Sequence, residues 1–185
     1  MRFLKLLVLY AGLAAGANPV VAGTDALFTL AEGDLAALQL HGEPRAVPTT
    51  AVTDASGKAV KLSDYRGKYV LLNFWALWCA PCVKEMPSLE RLDAALGSAK
   101  FEVVTITTGR NSRAAVDKFF TEKKITHLPK LFDPKMALLR AIGGGSLPLT
   151  VLIGPDGLEV ARFNGDAEWD SPTAQAMLRG WMSGS

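Results

Sequence analysis

The stretch "YVLLNFWALWCAPCVKEMP", residues 69–87, changes its hydrophobic period partway along. From Tyr69 to Ala76 it is a continuous apolar and aromatic run of strand length. A run that unbroken does not suit a half-exposed strand, so a central β-strand is predicted. After Cys79 the apolar residues Met86, Leu89, Leu92 and Leu96 recur at helical spacing, and Gly97 supplies a C-terminal stop. A strand therefore hands over to a helix at Cys79. Both cysteines of the chain, Cys79 and Cys82, stand at that junction.

Three uses exist for such a pair. A structural zinc site wants four ligands, and the only two histidines, His41 and His127, are far apart in sequence and form no His-x₃₋₅-His pair. His41 reads as a linker residue and His127 as a loop or core-edge residue. A permanent structural bridge across two intervening residues removes little chain entropy and stabilises little. A redox pair suits the position best. At a helix N-terminus the unpaired N–H groups and the helix dipole favour a thiolate, which makes Cys79 the nucleophile. Cys82, one turn inside the helix, is placed to resolve a mixed disulfide. Pro81 lacks an N–H that would be unsatisfied in a first turn anyway.

Outward from the junction, "FEVVTIT" (101–107) reads as a strand and "NSRAAVDKFFTEKKI" as a helix with Val116, Phe119 and Phe120 on one face. That order implies a right-handed crossover and a parallel strand pair. A short run at Leu131–Phe132 and a helix over Lys135–Ile142 follow. "PLTVLIG" and "LEVARF" are strands joined by the turn Gly154-Pro155-Asp156-Gly157. Ser171 and Pro172 suit a helix start, with Ala174, Met177, Leu178 and Trp181 as its apolar stripe. Before the junction, a short strand at Ala59–Leu62 and a turn near Gly67 are expected. The predicted fold class is α/β: a mixed sheet, an antiparallel hairpin at one edge, and helices on both faces.

The chain has 185 residues, 49% of them hydrophobic and 21% charged, which bounds it to one well-cored domain plus an appendage. A net charge of +2 gives no electrostatic footprint for a nucleic-acid partner. Residues 1–23 read as a targeting segment: Arg2 and Lys5 precede an apolar run, and Val20 and Ala22 offer signal-peptidase spacing. The run from Phe3 to Ala17 is shorter than the ~20 residues of a spanning helix unless "NPVVAG" is included, so a cleaved signal and a retained membrane anchor both stand. Either places the domain outside the cytoplasm, in the periplasm of a Gram-negative cell. Residues 24–50 are weakly patterned. "LFTLAEGDLAALQL" suggests a short helix, and "HGEPRAVPTT" an extended linker ahead of a domain spanning 51–185.

"LLNFWALWCAPCVKEMP", the lead-in "LSDYRGKYVLLNFWA", Pro87 within the helix and "SLPLTVLIGPDG" together resemble the TlpA-like thiol:disulfide oxidoreductases of the thioredoxin superfamily. The resemblance covers roughly residues 50–182, and "NGDAEWDS" resembles the branch from which that family takes its name. It implies a thioredoxin fold with an inserted strand and helix between the first two βα units and the final ββα. It also implies a redox-active disulfide between Cys79 and Cys82, a cis peptide at Leu147-Pro148, and an exposed apolar shelf at Trp78. Client contacts are implied at Trp78, Ala80, Pro81, Leu147 and Pro148, while Trp75 is expected to be packed. Thioredoxins carry an aspartate six residues before the first cysteine; here the residue is Asn73, which cannot relay a proton. Glu85, one turn beyond Cys82, matches a glutamate that tunes the thiols in this family, and if buried its pKa should be raised by desolvation.

The implied activity is reduction of disulfides in extracytoplasmic client proteins, with re-reduction by a membrane thiol-reductant transporter and no bound cofactor or metal. The expected clients act in copper-centre assembly of cytochrome oxidase: the copper-bearing subunit or its copper chaperone. A reductant of apocytochrome c thiols is the nearest rival. Its Gly-x-x-Gly-x-Pro-Glu pattern is not matched by "GGGSLPLT", which lacks the glutamate. A metal-binding chaperone using the cysteine pair as ligands is the rival of a different class. A monomer is expected.

Overall fold

The computed structural model describes residues 19–184. The proposed signal or anchor falls largely outside them. Among the described residues no helix is long and apolar enough to cross a membrane.

The element order is α1 (Pro19–Leu30), β1 (Gln39–Ala46), β2 (Val52–Thr53), β3 (Ala59–Val60), β4 (Tyr69–Trp75), α2 (Ala80–Leu96), β5 (Phe101–Thr108), α3 (Arg113–Glu122), β6 (Leu131–Asp133), α4 (Ala137–Ala141), β7 (Leu149–Ile153), β8 (Leu158–Asn164) and α5 (Pro172–Ser183). All eight strands form one sheet in the order β1-β8-β7-β4-β5-β6-β2-β3. The β4–β5 and β5–β6 pairs are parallel, and β7 runs antiparallel to both β4 and β8. This is the expected mixed sheet, with β4 near its middle.

β4 is buried along its whole length, and its period of two divides its side chains between two cores. Tyr69, Leu71 and Trp75 join a core with α2 residues Met86, Leu89 and Leu92, α3 residues Val116 and Phe120, and α5 residues Met177 and Trp181. Val70, Leu72 and Phe74 join the other core, with Leu138 and Leu139 of α4. Asn73 has the parity of the first core, so a polar side chain is directed to the α2 side of the sheet.

Several sequence expectations need correction. Residues 39–46, expected to be linker, form the edge strand β1, antiparallel to β8. His41 is thus no linker residue: its Nε2 lies 2.6 Å from Glu159 Oε1 across the strands, and Arg162 Nε bonds the same oxygen at 2.6 Å. The segment 24–37 forms the end of α1 and a 3₁₀ turn at Gly33–Ala37. Leu27 of α1 is buried against the first core, and Gly180 of α5 allows a close approach to Ala26. The strand expected at Ala59–Leu62 stops at Val60, because the Asp64 carboxylate accepts from Lys61 N and a 3₁₀ turn begins at Leu62. The helix expected over Lys135–Ile142 is only Ala137–Ala141. Met136 ahead of it is left-handed (φ 53°), and Asp133 accepts from the N–H groups of Ala137, Leu138 and Leu139.

Candidate active site

Cys79 is the N-cap of α2, in extended conformation, and its sulfur accepts from Cys82 N at 3.3 Å. The two cysteines form a disulfide with Cα atoms 5.3 Å apart. Cys79 keeps 6% of its surface exposed and Cys82 none, so only Cys79 is open to attack or to attacking. Pro81 lies in the first turn of the helix, and Ala80 and Pro81 are both exposed. The approach to Cys79 is fixed by Asn111, whose side-chain oxygen accepts from Leu77 N at 3.0 Å.

Trp78 is 59% exposed, an unusual setting for the largest apolar side chain, whereas Trp75 is fully buried between Phe119 and Phe120. A Cβ at Gly109 would lie 3.6 Å from Trp78 Cζ2 and 3.1 Å from Met136 Cε. Gly109 sits at φ +72°, so both its conformation and its neighbours favour glycine there. The Leu147-Pro148 peptide is cis. Strand register pairs Leu149 with Phe74, which sets Pro148 opposite the end of β4, where the chain enters the cysteine loop. Leu147 is half-buried against both cores, and the Pro148 carbonyl accepts from Gly165 N at 3.1 Å.

Glu85 is 1% exposed and lies one turn beyond Cys82 on the same helical face. Its Oε1 accepts from Asn73 Nδ2 at 2.9 Å. Its Oε2 accepts from Trp169 Nε1 at 3.1 Å and Ala167 N at 3.3 Å. Burial pushes the carboxyl up to about 7; these hydrogen bonds pull the other way, and nearby Asp166 adds a little to the rise. Asn73 Nδ2 also donates to Thr150 Oγ1 at 3.0 Å, and among the described residues Asn73 Oδ1 has no partner. Rotating the Asn73 amide would turn that oxygen toward Glu85. Asn73 relays no proton itself, but it can face either the ionised or the protonated acid.

Sequence reasoning missed Asn73, Thr150 and Trp169 as members of this cluster. The parity of Asn73 and Thr150 on neighbouring strands was a usable signal. Trp169 stood inside the "NGDAEWDS" stretch that carried the resemblance, but its contact with Glu85 comes from a loop far along the chain and has no local pattern.

A disulfide capping a helix at the end of a central strand, within this mixed sheet, defines the chain as a thiol:disulfide oxidoreductase of the thioredoxin type. More narrowly, it belongs to the AhpC/TSA family, whose model matches residues 44–160. It is 32% identical over 139 residues to the thiol-disulfide oxidoreductase ResA of Bacillus anthracis, covering 75% of this chain and 79% of that protein. ResA of Bacillus subtilis is 33% identical over 138 residues, covering 75% and 76% respectively. Among solved structures, a DsbF homologue from Corynebacterium diphtheriae superposes with a TM-score of 0.66 at 28% identity, covering 80% of this chain and 92% of that one.

Proposed function

We propose that this oxidoreductase works outside the cytoplasm as a reductant of client-protein disulfides, with Cys79 as nucleophile. The Cys79 thiolate attacks a client disulfide, forms a mixed disulfide and releases one client sulfur as thiolate. Cys82 then attacks Cys79 in that mixed disulfide, which frees the second client thiol and leaves the Cys79–Cys82 disulfide. Two electrons pass to the client, and a membrane thiol transporter returns the protein to the dithiol. The observation that carries this reading is the exposure difference between the two cysteines at the helix N-terminus. Glu85, Trp78 and the Leu147-Pro148 edge are assigned to proton handling and client contact, with Ala80 and Pro81 completing the rim.

The client class proposed first is copper-centre assembly of cytochrome oxidase. It is supported by the resemblance at "NGDAEWDS" and by Leu149, a buried strand residue where the haem-attachment pattern has glutamate. A second reading, reduction of apocytochrome c thiols, is favoured by the similarity to ResA proteins.

Trapping with Cys82→Ser tests both. Without the resolving thiol the mixed disulfide at Cys79 should accumulate, and mass spectrometry identifies the client. Adducts with the oxidase copper subunit or its chaperone support the first reading, adducts with apocytochrome c the second. Absence of any adduct would defeat the reductase assignment. In the reduced protein, iodoacetamide should alkylate Cys79 well before Cys82, and equal rates would remove the nucleophile assignment.

A further inference from the structure

The loop Gly165–Asp170 is stitched along one face of α2. Lys84 Nζ bonds Asp166 Oδ2 at 2.9 Å, Ser88 Oγ, whose one proton is shared between Glu85 O at 2.8 Å and Ala167 O at 3.3 Å, faces the loop, and Trp169 N donates to Ser88 Oγ at 3.2 Å. Arg91 completes the series through Asp170 and, at 3.8 Å, Glu168. Residues 84, 88 and 91 share a helical stripe, and Glu85 lies beside it. The loop follows the stretch matched by the family model.

Inside this seam, Glu85 Oε2 receives two donors from the loop, the Trp169 indole N–H and the Ala167 backbone N–H. Neither group can accept a hydrogen bond. A carboxyl oxygen has two lone pairs, so no place remains on Oε2 for a proton. Among the described residues Oε1 meets Asn73 alone, whose amide can present either its NH₂ or its unpartnered oxygen. The indole is fully buried and is held edge-on against Phe163, with ring centroids 5.7 Å apart, so its N–H has one direction available.

We propose that Trp169 is a positioning residue: with Ala167 N–H it fills both lone pairs of Glu85 Oε2 and confines the proton of the neutral acid to Oε1, facing Asn73. Proton exchange at the site then runs on the sheet side of α2, away from the 165–170 loop. The inference rests on Glu85 being the proton-handling group. Among the described residues the charged or ionisable groups nearby are Cys79 at the helix N-cap, Cys82 on the helix and Asp166 on the loop, the last paired with Lys84, with Asp34 and Glu168 beside that pair. The facing residues of β4 and β7, Asn73 and Thr150, are neutral.

The test uses the disulfide form, in which no thiol titrates. Glu85 is followed by the ¹³C resonance of its carboxyl carbon in wild type, Trp169→Phe and Phe163→Leu. Trp169→Phe keeps an aromatic ring but loses the pyrrole half of the indole with its N–H, so the ionised acid loses a donor and the Glu85 midpoint should rise by about one pH unit. Phe163→Leu loosens the same indole without removing its N–H, and should leave the midpoint in place. In the unaltered protein the ¹⁵N–¹H resonance of the Trp169 indole should shift with pH at the Glu85 midpoint. That reading decides the matter if Trp169→Phe does not fold. An unmoved Glu85 midpoint in Trp169→Phe, an equal shift in Phe163→Leu, or a pH-invariant indole resonance would each overturn the proposal. None of these results depends on whether Glu85 tunes Cys79, which thiolate titration of Glu85→Gln decides separately.

Discussion

Two glutamates of α2 are covered by the fold, and their carboxyls are shifted in opposite directions. Glu85, near the cysteine end, is 1% exposed and its carboxyl is pushed up to about 7. Glu90, in the second half of the helix, is 9% exposed and is held below the ordinary carboxylate range. Burial opposes ionisation at both and is the largest single influence at each. Glu85 is the more deeply buried of the two, and the supply of donors differs as well. Glu90 accepts from the backbone N–H groups of Thr126, His127 and Leu128, from Thr126 Oγ1 and from His127 Nδ1. Glu85 has three donors, one of them a backbone N–H at 3.3 Å. The well-supplied carboxylate stays charged and pins the 126–128 loop to the helix. The under-supplied one can lose and regain a proton near neutrality, one turn from Cys82. Depth of burial and donor inventory together set the opposite directions of the two shifts.

The largest effect that separates them is the pH dependence of stability in the disulfide form. The folded pKa of Glu85 lies above its unfolded value of 4.5, so between pH 4.5 and about 7 the folded state binds more protons than the unfolded state. Its contribution is therefore fully present below 4.5 and is lost as pH rises through about 7, roughly 3 kcal/mol in all. Urea melts of wild type should show this decline superimposed on other titrations. Glu85→Gln should lack it, with Asn73 turning its oxygen toward the new amide. Parallel pH profiles would mean that Glu85 is not a neutral-range acid.

Glu90→Ala should be the next largest. Stranding several loop donors should cost about 2 kcal/mol at pH 7, or a Tm lower by roughly 4–8 °C. The wild-type contribution of Glu90 is present above its unfolded value of 4.5 and is lost as pH falls through its lower folded value. The thiol titration should not move in this variant; a shift would merge the two roles that the comparison separates. The smallest effect is expected from Lys84→Met. The Lys84–Asp166 pair is exposed and screened by solvent, so its removal should leave stability nearly unchanged and the thiol titration in place. A larger loss would show that surface charge, rather than the Glu85 and Ser88 bonds, holds the 165–170 loop.

What the sequence disclosed follows the range of the interactions. The strand-to-helix change at Cys79, the stop at Gly97 and the Ser171–Pro172 helix start are local, and each was readable from period and capping chemistry. β1 was not. "QLHGEPRA" has the polar, proline-containing look of a linker because it lies at the sheet edge with most of its side chains exposed. What defines it is pairing with β8 and the contact of His41 with Glu159, which no local pattern carries. The site divides the same way. Cys79 and Cys82 stand at one helix start and were legible from local pattern, whereas Glu85, a turn further on, was singled out by the family resemblance. Trp169 reaches Glu85 across 84 residues of sequence, and that contact exists only in the folded chain.

The central claim, that a buried acid opposes thiolate formation at the cysteine pair, is tested most directly by thiolate absorbance of the reduced protein against pH in wild type and Glu85→Gln. In wild type Cys79 and Glu85 should titrate as a coupled pair, because each negative charge disfavours the other. In Glu85→Gln the Cys79 midpoint should fall by about one unit, which corresponds to about 1.4 kcal/mol and, above both thiol pKa values, a potential about 30 mV less reducing. Superimposable curves for the two proteins would contradict the account and leave Glu85 a buried acid with no influence on the thiols.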